Sequence, residues 1–146
     1  VDGEFICFKK NIESLENFPR KVYNKNTNGC AININQCKNL KTLKGAPNSI
    51  FGGFYCIDCD SLTSLEGAPE KVAGDFYCGY CKSLKSLKGA PREVGKNFNC
   101  KNCKSLTSLE GAPEKVGGDF CCRNCLVKFT VDDVKKVSNI KGRIEV

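Results

Sequence analysis

Four Cys-x-x-Cys pairs carry the chemistry this sequence could perform: Cys56 and Cys59, Cys78 and Cys81, Cys100 and Cys103, Cys122 and Cys125. Four thiolates at such spacing can hold a structural zinc ion. Cys56, Cys59, Cys78 and Cys81 would form one site, and Cys100, Cys103, Cys122 and Cys125 a second. The same thiols could instead pair as disulfides, or lie buried as small apolar side chains with a weak S–H donor. The rest of a catalytic repertoire is missing. His is absent, which removes Ser-His-Asp and Cys-His catalysis, His metal sites and His pH switches. No glycine-rich phosphate loop or paired-acid motif occurs, so the expectation is a protein that is not an enzyme and needs no cofactor.

The cysteines sit in a repeat, and the repeat says what positions them. Cys37, Cys59, Cys81, Cys103 and Cys125 fall at a strict interval of 22, as do Cys56, Cys78, Cys100 and Cys122. Leu40, Leu62, Leu84 and Leu106 keep the period, followed by Leu43, Leu65, Leu87 and Leu109. So do the Gly-Ala-Pro tripeptides at Gly45, Gly67, Gly89 and Gly111, and Phe54, Phe76, Phe98 and Phe120. One unit reads C-x-S-L-x-S-L-x-G-A-P-x-x-V-x-G-x-F-x-C-x-x. A period of 22 is too short for a helical hairpin and fits one coil of a solenoid. Phe76-Tyr77-Cys78 alternates in, out, in, which is strand periodicity. Gly-Ala-Pro turns the chain, since Pro91 restricts Ala90 and removes a donor. The expected coil therefore holds one short strand and a return arc.

This placement ranks the readings of the thiols. Both Cys columns point inward, and any inward pair would repeat at zinc-like spacing. Ile34 stands beside Cys37 where a paired ligand would be needed. Stacked coils lie about 4.8 Å apart, within disulfide reach, but their Cβ vectors run alike rather than toward each other. A buried core ladder is favoured, with the Cys81 column bonding the backbone where the strand turns away. Zinc and disulfides remain the alternatives. Cys121 should face outward as an exposed thiol.

Phe76-x-Cys78-x-x-Cys81-x-x-Leu84 resembles the leucine-rich-repeat segment L-x-L-x-x-(N/C)-x-x-L, with Phe and Cys in place of the first two Leu. The wording of Leu62–Cys78 resembles uncharacterised phage and prophage repeat proteins. The resemblance implies a mainly β, leucine-rich-repeat-like solenoid with a parallel β-sheet, and the Gly-Ala-Pro arc in place of a helix implies a straighter stack. It also implies a viral or prophage origin, with host-factor binding and virion structure both open.

Both ends of such a stack need caps. Residues 1–29 read as an N-terminal capping coil. Phe5-Ile6-Cys7 supplies its strand, Leu15 to Val22 matches Leu65 to Val72, and a polar loop spans Asn24 to Gly29. Residues 30–125 are the solenoid of 22-residue repeats. Residues 126–146 form an α+β cap: Thr130 and Asp133 make a capping box, Phe129 and Val134 a hydrophobic staple, and Val131, Val134 and Val137 an apolar stripe. Arg143 to Val146 follows Gly142 as a strand.

Net charge is +7, but it does not form one basic face. Lys/Arg number eight against four Asp/Glu in residues 1–50, ten against nine in 51–125, and five against three in 126–146. Nucleic acid is therefore a weak expectation, kept in the alternative of a zinc-stabilised module binding it through basic ends. Three arc columns alternate in sign: Lys44, Glu66, Lys88, Glu110; Asn48, Glu70, Arg92, Glu114; Ser49, Lys71, Glu93, Lys115. No apolar run reaches the ~20 residues of a membrane span. While the core repeats, the outward columns vary. Tyr55, Tyr77 and Tyr80 should form an aromatic patch beside the cations Lys101 and Arg123, and Tyr and Arg are favoured interface anchors. The expectation is a protein-binding or assembly module with a host-factor or viral partner. Free thiols point to a reducing, cytoplasmic setting, such as an infected host cell or a virion.

Overall fold

The computed structural model describes residues 5–19, 22 and 29–146. The chain forms a β-solenoid of about 22 residues per turn. Seven parallel strands make one sheet in the order β1 (Phe5–Ile6), β2 (Cys30–Asn33), β4 (Gly53–Tyr55), β6 (Phe76–Tyr77), β8 (Phe98–Asn99), β10 (Phe120–Cys121) and β12 (Ile144–Glu145). Five make a second sheet, β11 (Asn139–Ile140), β9 (Lys115–Val116), β7 (Glu93–Val94), β5 (Lys71–Val72) and β3 (Ser49–Ile50). Register follows the repeat, since Phe54 pairs with Phe76 and Phe76 with Phe98. The expectation of one strand per coil is thus too sparse. The residues before the arc-to-strand bend pair as well, because Ile50, Val72, Val94 and Val116 turn inward there and hold that segment extended.

The core is a set of columns running along the stack. Phe54, Phe76, Phe98 and Phe120 are fully buried, with successive ring centroids 5.3, 5.6 and 5.1 Å apart. Leu40, Leu62, Leu84 and Leu106 form a second column and Leu43, Leu65, Leu87 and Leu109 a third. Each such side chain contributes about 1.5–3 kcal/mol on burial. The arc shows why its first residue is glycine: Gly45, Gly67, Gly89 and Gly111 all have positive φ, between +81° and +98°. A Cβ at any of them would also run into the backbone of the preceding coil. Pro47, Pro69, Pro91 and Pro113 are buried beside them.

The described residues of the first coil join the stack. β1 pairs with β2, Leu15 and Val22 are buried, and the Leu15 N–H donates to the Lys44 carbonyl at 2.9 Å. Residues 24–28 of the expected polar loop lie outside the described residues.

The C-terminal segment is more than a lid. Its helix α1 (Val131–Val137) has the expected capping box, with the Thr130 hydroxyl accepting from the Asp133 N–H at 3.2 Å and the Asp133 carboxylate accepting from the Thr130 N–H at 2.9 Å. Phe129 and Val134 are buried. The apolar stripe is narrower than the spacing implies: Val131 and Val137 stay 37% and 39% exposed, because one turn of so short a helix reaches the core. After it, β11 continues the second sheet and β12 the first, so the segment closes as a final partial coil.

Candidate functional site

Each described thiol of the Cys37 column is directed at a backbone carbonyl of the preceding coil. Cys59 Sγ donates to Ile34 O at 3.3 Å, Cys81 to Cys56 O at 3.2 Å, Cys103 to Cys78 O at 3.3 Å and Cys125 to Cys100 O at 3.3 Å. Cys37 does the same to Cys7 O at 2.8 Å. Parallel strands leave these inner carbonyls without a ladder partner where the chain turns away, and the thiol satisfies them. Burial raises most of these thiols: Cys37 to about 11, Cys103 and Cys122 to about 12, and Cys78 well above its ordinary value. Cys59 and Cys125 go the opposite way: a hydrogen bond with the Cys81 thiol lowers Cys59, and Cys125 sits at the end of the stack. Hydrogen bonding with the Cys100 thiol, the Cys103 N–H and the field of Lys104 lower it to about 7.

Among the described residues no three Cys, Asp or Glu side chains converge as a metal ion would require. That holds for both proposed quartets, Cys56, Cys59, Cys78, Cys81 and Cys100, Cys103, Cys122, Cys125. The physical reason is the flat stack, which sets equivalent thiols side by side instead of around a centre. The described cysteines are free rather than disulfide-bonded. Cys121 departs from expectation: although on the outward column, it is only 6% exposed. It lies between Asn99 and Glu145 in register, and Arg123 reaches across to it and to Glu145 at 3.2 Å.

The outward strand face divides the five expected residues into groups. Tyr55 and Tyr77 pack edge-to-face, centroids 5.1 Å apart at 83°. The Tyr55 hydroxyl donates to Asp75 at 3.4 Å, and burial together with the charge of Asp75 raises the Tyr77 hydroxyl above its usual value. Tyr80 and Lys101 form a second group, with the ammonium 5.8 Å from the ring centroid. Arg123 is drawn away by Glu145. Tyr77, Tyr80 and Lys101 share a hollow of about 200 Å³ whose other walls are Ile57, Gly79 and Asn99. Those three were not among the expected site residues, although one signal was visible: Gly79 interrupts a column otherwise filled by Asn35, Ile57, Lys101 and Arg123.

A second ladder positions this face. The side chain of Asp75 accepts from the Asn97 N–H at 3.0 Å, Asn97 from Asp119 at 2.8 Å, and Asp119 from Arg143 at 2.7 Å. The shared requirement is a side-chain oxygen acceptor, so Asp and Asn alternate freely in one column.

The arc charges assemble in part. Glu93 lies 3.4 Å from Lys71 and 3.6 Å from Lys115, and Arg92 lies 2.9 Å from Glu114. The Lys44, Glu66, Lys88, Glu110 column makes no ion pair among the described residues. Lys38 instead reaches Asp58 at 2.6 Å and Asp60 at 3.1 Å, with Lys82 on Asp60 at 3.2 Å.

No helix among the described residues is long and apolar enough to cross a membrane. No family model, curated protein or solved structure matches this chain.

Proposed function

We propose that this chain is a non-enzymatic protein-binding or assembly module of phage origin, read by its partner on the outward face of the seven-stranded sheet. The observation that carries this is the contrast across one strand. Inward positions repeat from coil to coil, as in the Phe54 to Phe120 column, while outward ones change and gather Tyr55, Tyr77, Tyr80 and Lys101. A rigid scaffold with a varied surface is the ordinary build of a recognition module. The phage-like wording of Leu62–Cys78 favours a host factor or a virion component as the partner. A thiol ladder that must stay reduced fits a cytoplasmic or other reducing setting. The nucleic-acid alternative has less support, since opposite charges alternate along the stack and leave no continuous basic stripe.

The test is capture of the partner from extracts of the source cell, comparing the natural chain with Tyr77→Ala/Tyr80→Ala. Both rings lie outside the core, so the chain should still fold with a cooperative melt, lowered only by the lost Tyr55–Tyr77 contact, while binding loses more than ~1 kcal/mol per anchor. A partner retained at full strength by the double variant would remove the site from this face. A salt-dependent complex with nucleic acid would favour the alternative.

A further inference from the structure

The hollow over Gly79 is not something the fold demands. Gly79 lacks the positive φ that requires glycine, and the coils on either side carry Ile57 and Lys101 at the same position. Omitting a side chain there opens the floor between Ile57, Tyr77 and Asn99. The wall is equally unusual. Position 80 has φ +62°, and the equivalent positions Gln36, Asp58, Asn102 and Asn124 are also left-handed, at +58° or +59°. Asn and Asp suit that backbone, whereas a bulky ring there is uncommon. Tyr80 therefore stands where stacking alone favours a short polar residue, and it is 46% exposed.

At the rim, Lys101 has no carboxylate within 4.0 Å among the described residues, and its ammonium lies over the Tyr80 ring. The next cation along the column, Arg123, is neutralised by Glu145. The hollow thus offers apolar and aromatic walls beside one uncompensated positive charge, on a chain of net charge +7. Its volume of about 200 Å³ falls below the roughly 300–1,000 Å³ of sites that engulf a small molecule. It has room for one side chain.

Resting on the proposed binding face, we propose that this hollow seats a single apolar side chain of an acidic peptide segment, with a neighbouring carboxylate of that segment on the Lys101 ammonium. A single-stranded nucleic acid fits less well. Its bases need free ring faces and its backbone a run of cations. Here Tyr55 and Tyr77 are packed against each other, and the next cation after Lys101, Arg123, is already paired with Glu145.

The full chain is titrated with the peptide Asp-Glu-Leu-Glu-Asp, its neutral counterpart Asn-Gln-Leu-Gln-Asn, the Leu-to-Ser version Asp-Glu-Ser-Glu-Asp, and an oligothymidylate, with amide shifts as the readout. The acidic Leu peptide should bind and move the amides of Ile57, Gly79 and Lys101. The neutral and Ser peptides should bind about tenfold more weakly or worse, and Lys101→Glu should weaken the acidic peptide by at least about tenfold. Gly79→Ala should also reduce binding by raising the floor. A Cβ there lies 3.0 Å from the Lys101 carbonyl oxygen, so if that variant folds poorly the surface change Lys101→Glu decides. The proposal falls if the acidic peptide does not bind, if it binds no better than the neutral one, if Lys101→Glu leaves it unchanged, or if the oligothymidylate displaces it. Should the peptides fail while Tyr77→Ala/Tyr80→Ala still loses the natural partner, the face stands and this occupant is wrong. If that double variant keeps the partner, the face itself is wrong.

Discussion

Cys103 and Cys125 stand one coil apart in the same column, and each donates its thiol to the carbonyl of the residue 25 places earlier at 3.3 Å. Their chemistry nevertheless diverges. Burial lifts Cys103 to about 12, whereas Cys125, hydrogen-bonded with the Cys100 thiol and near Lys104, is lowered to about 7. The next full coil covers Cys103. Above Cys125 the chain has left the repeat, and Val127, Lys128, Phe129 and Val146 leave a cavity of about 260 Å³ that Cys122 and Cys125 line. Two thiols of one column therefore differ although their hydrogen bond to the preceding coil is the same: a neighbouring thiol lowers Cys125, as the Cys81 thiol lowers the buried Cys59, and of these two only Cys125 lies at the open end of the stack.

The largest effect should come from removing that end. Deleting residues 126–146 strips β11, β12 and the Phe129–Val134 contact from the last full coil, leaving Phe120 and Cys122 open to water. The expected outcome is aggregation or loss of a cooperative melt, followed by calorimetry and light scattering. A soluble truncation with an unchanged melt would make the end and the middle equivalent after all.

Next comes the thiol difference itself. At pH 7 about half of Cys125 should be thiolate, against roughly one part in a hundred thousand for Cys103. Iodoacetamide on the native chain should label Cys125 first, read by peptide mass. Its rate should fall about tenfold per unit as pH drops below 7 and level off above 8, since only the thiolate attacks. Equal labelling of Cys103 in the folded state would abolish the contrast.

A smaller effect separates the arcs that pair from those that do not. Glu93→Lys sets three cations in a row with Lys71 and Lys115 and should lower the melt modestly, since both lost pairs are solvent-screened. Glu66→Lys, at a column without ion pairs, should change the melt less. Equal losses in denaturant titrations would show that column position does not matter. The smallest expected effect is that of a chelator. The thiols point at carbonyls instead of converging, so the purified chain should hold no stoichiometric zinc and melt alike with or without chelator. One or two tightly held zinc ions would overturn the ladder account.

Much of this was legible from the residues. The 22-residue interval predicted the solenoid, the inward Phe, Leu and Cys columns and the Gly-Ala-Pro arc, and the local Thr130–Asp133 spacing predicted the capping box, because each depends on local backbone preference or on a period that any stacked coil must obey. It also marked Tyr55, Tyr77, Tyr80 and Lys101 as outward. Three features escaped that reading. The second sheet did, because two-residue strands such as Lys71–Val72 carry too little pattern to stand out from an arc. The cover over Cys121 did, because Arg123 and Glu145 come from different coils. The hollow at Gly79 did, because a missing side chain becomes a cavity only when its neighbours 22 residues away are set beside it.

The order of residues therefore determined the coil: its length, its inward faces, its turns and the cap that ends it. Which charges meet, which thiol is left half-open and which gap becomes a seat were decided by stacking. Those properties belong to pairs of side chains a full turn apart, and their separation depends on how each coil is rotated and covered by the next, which no single 22-residue unit encodes.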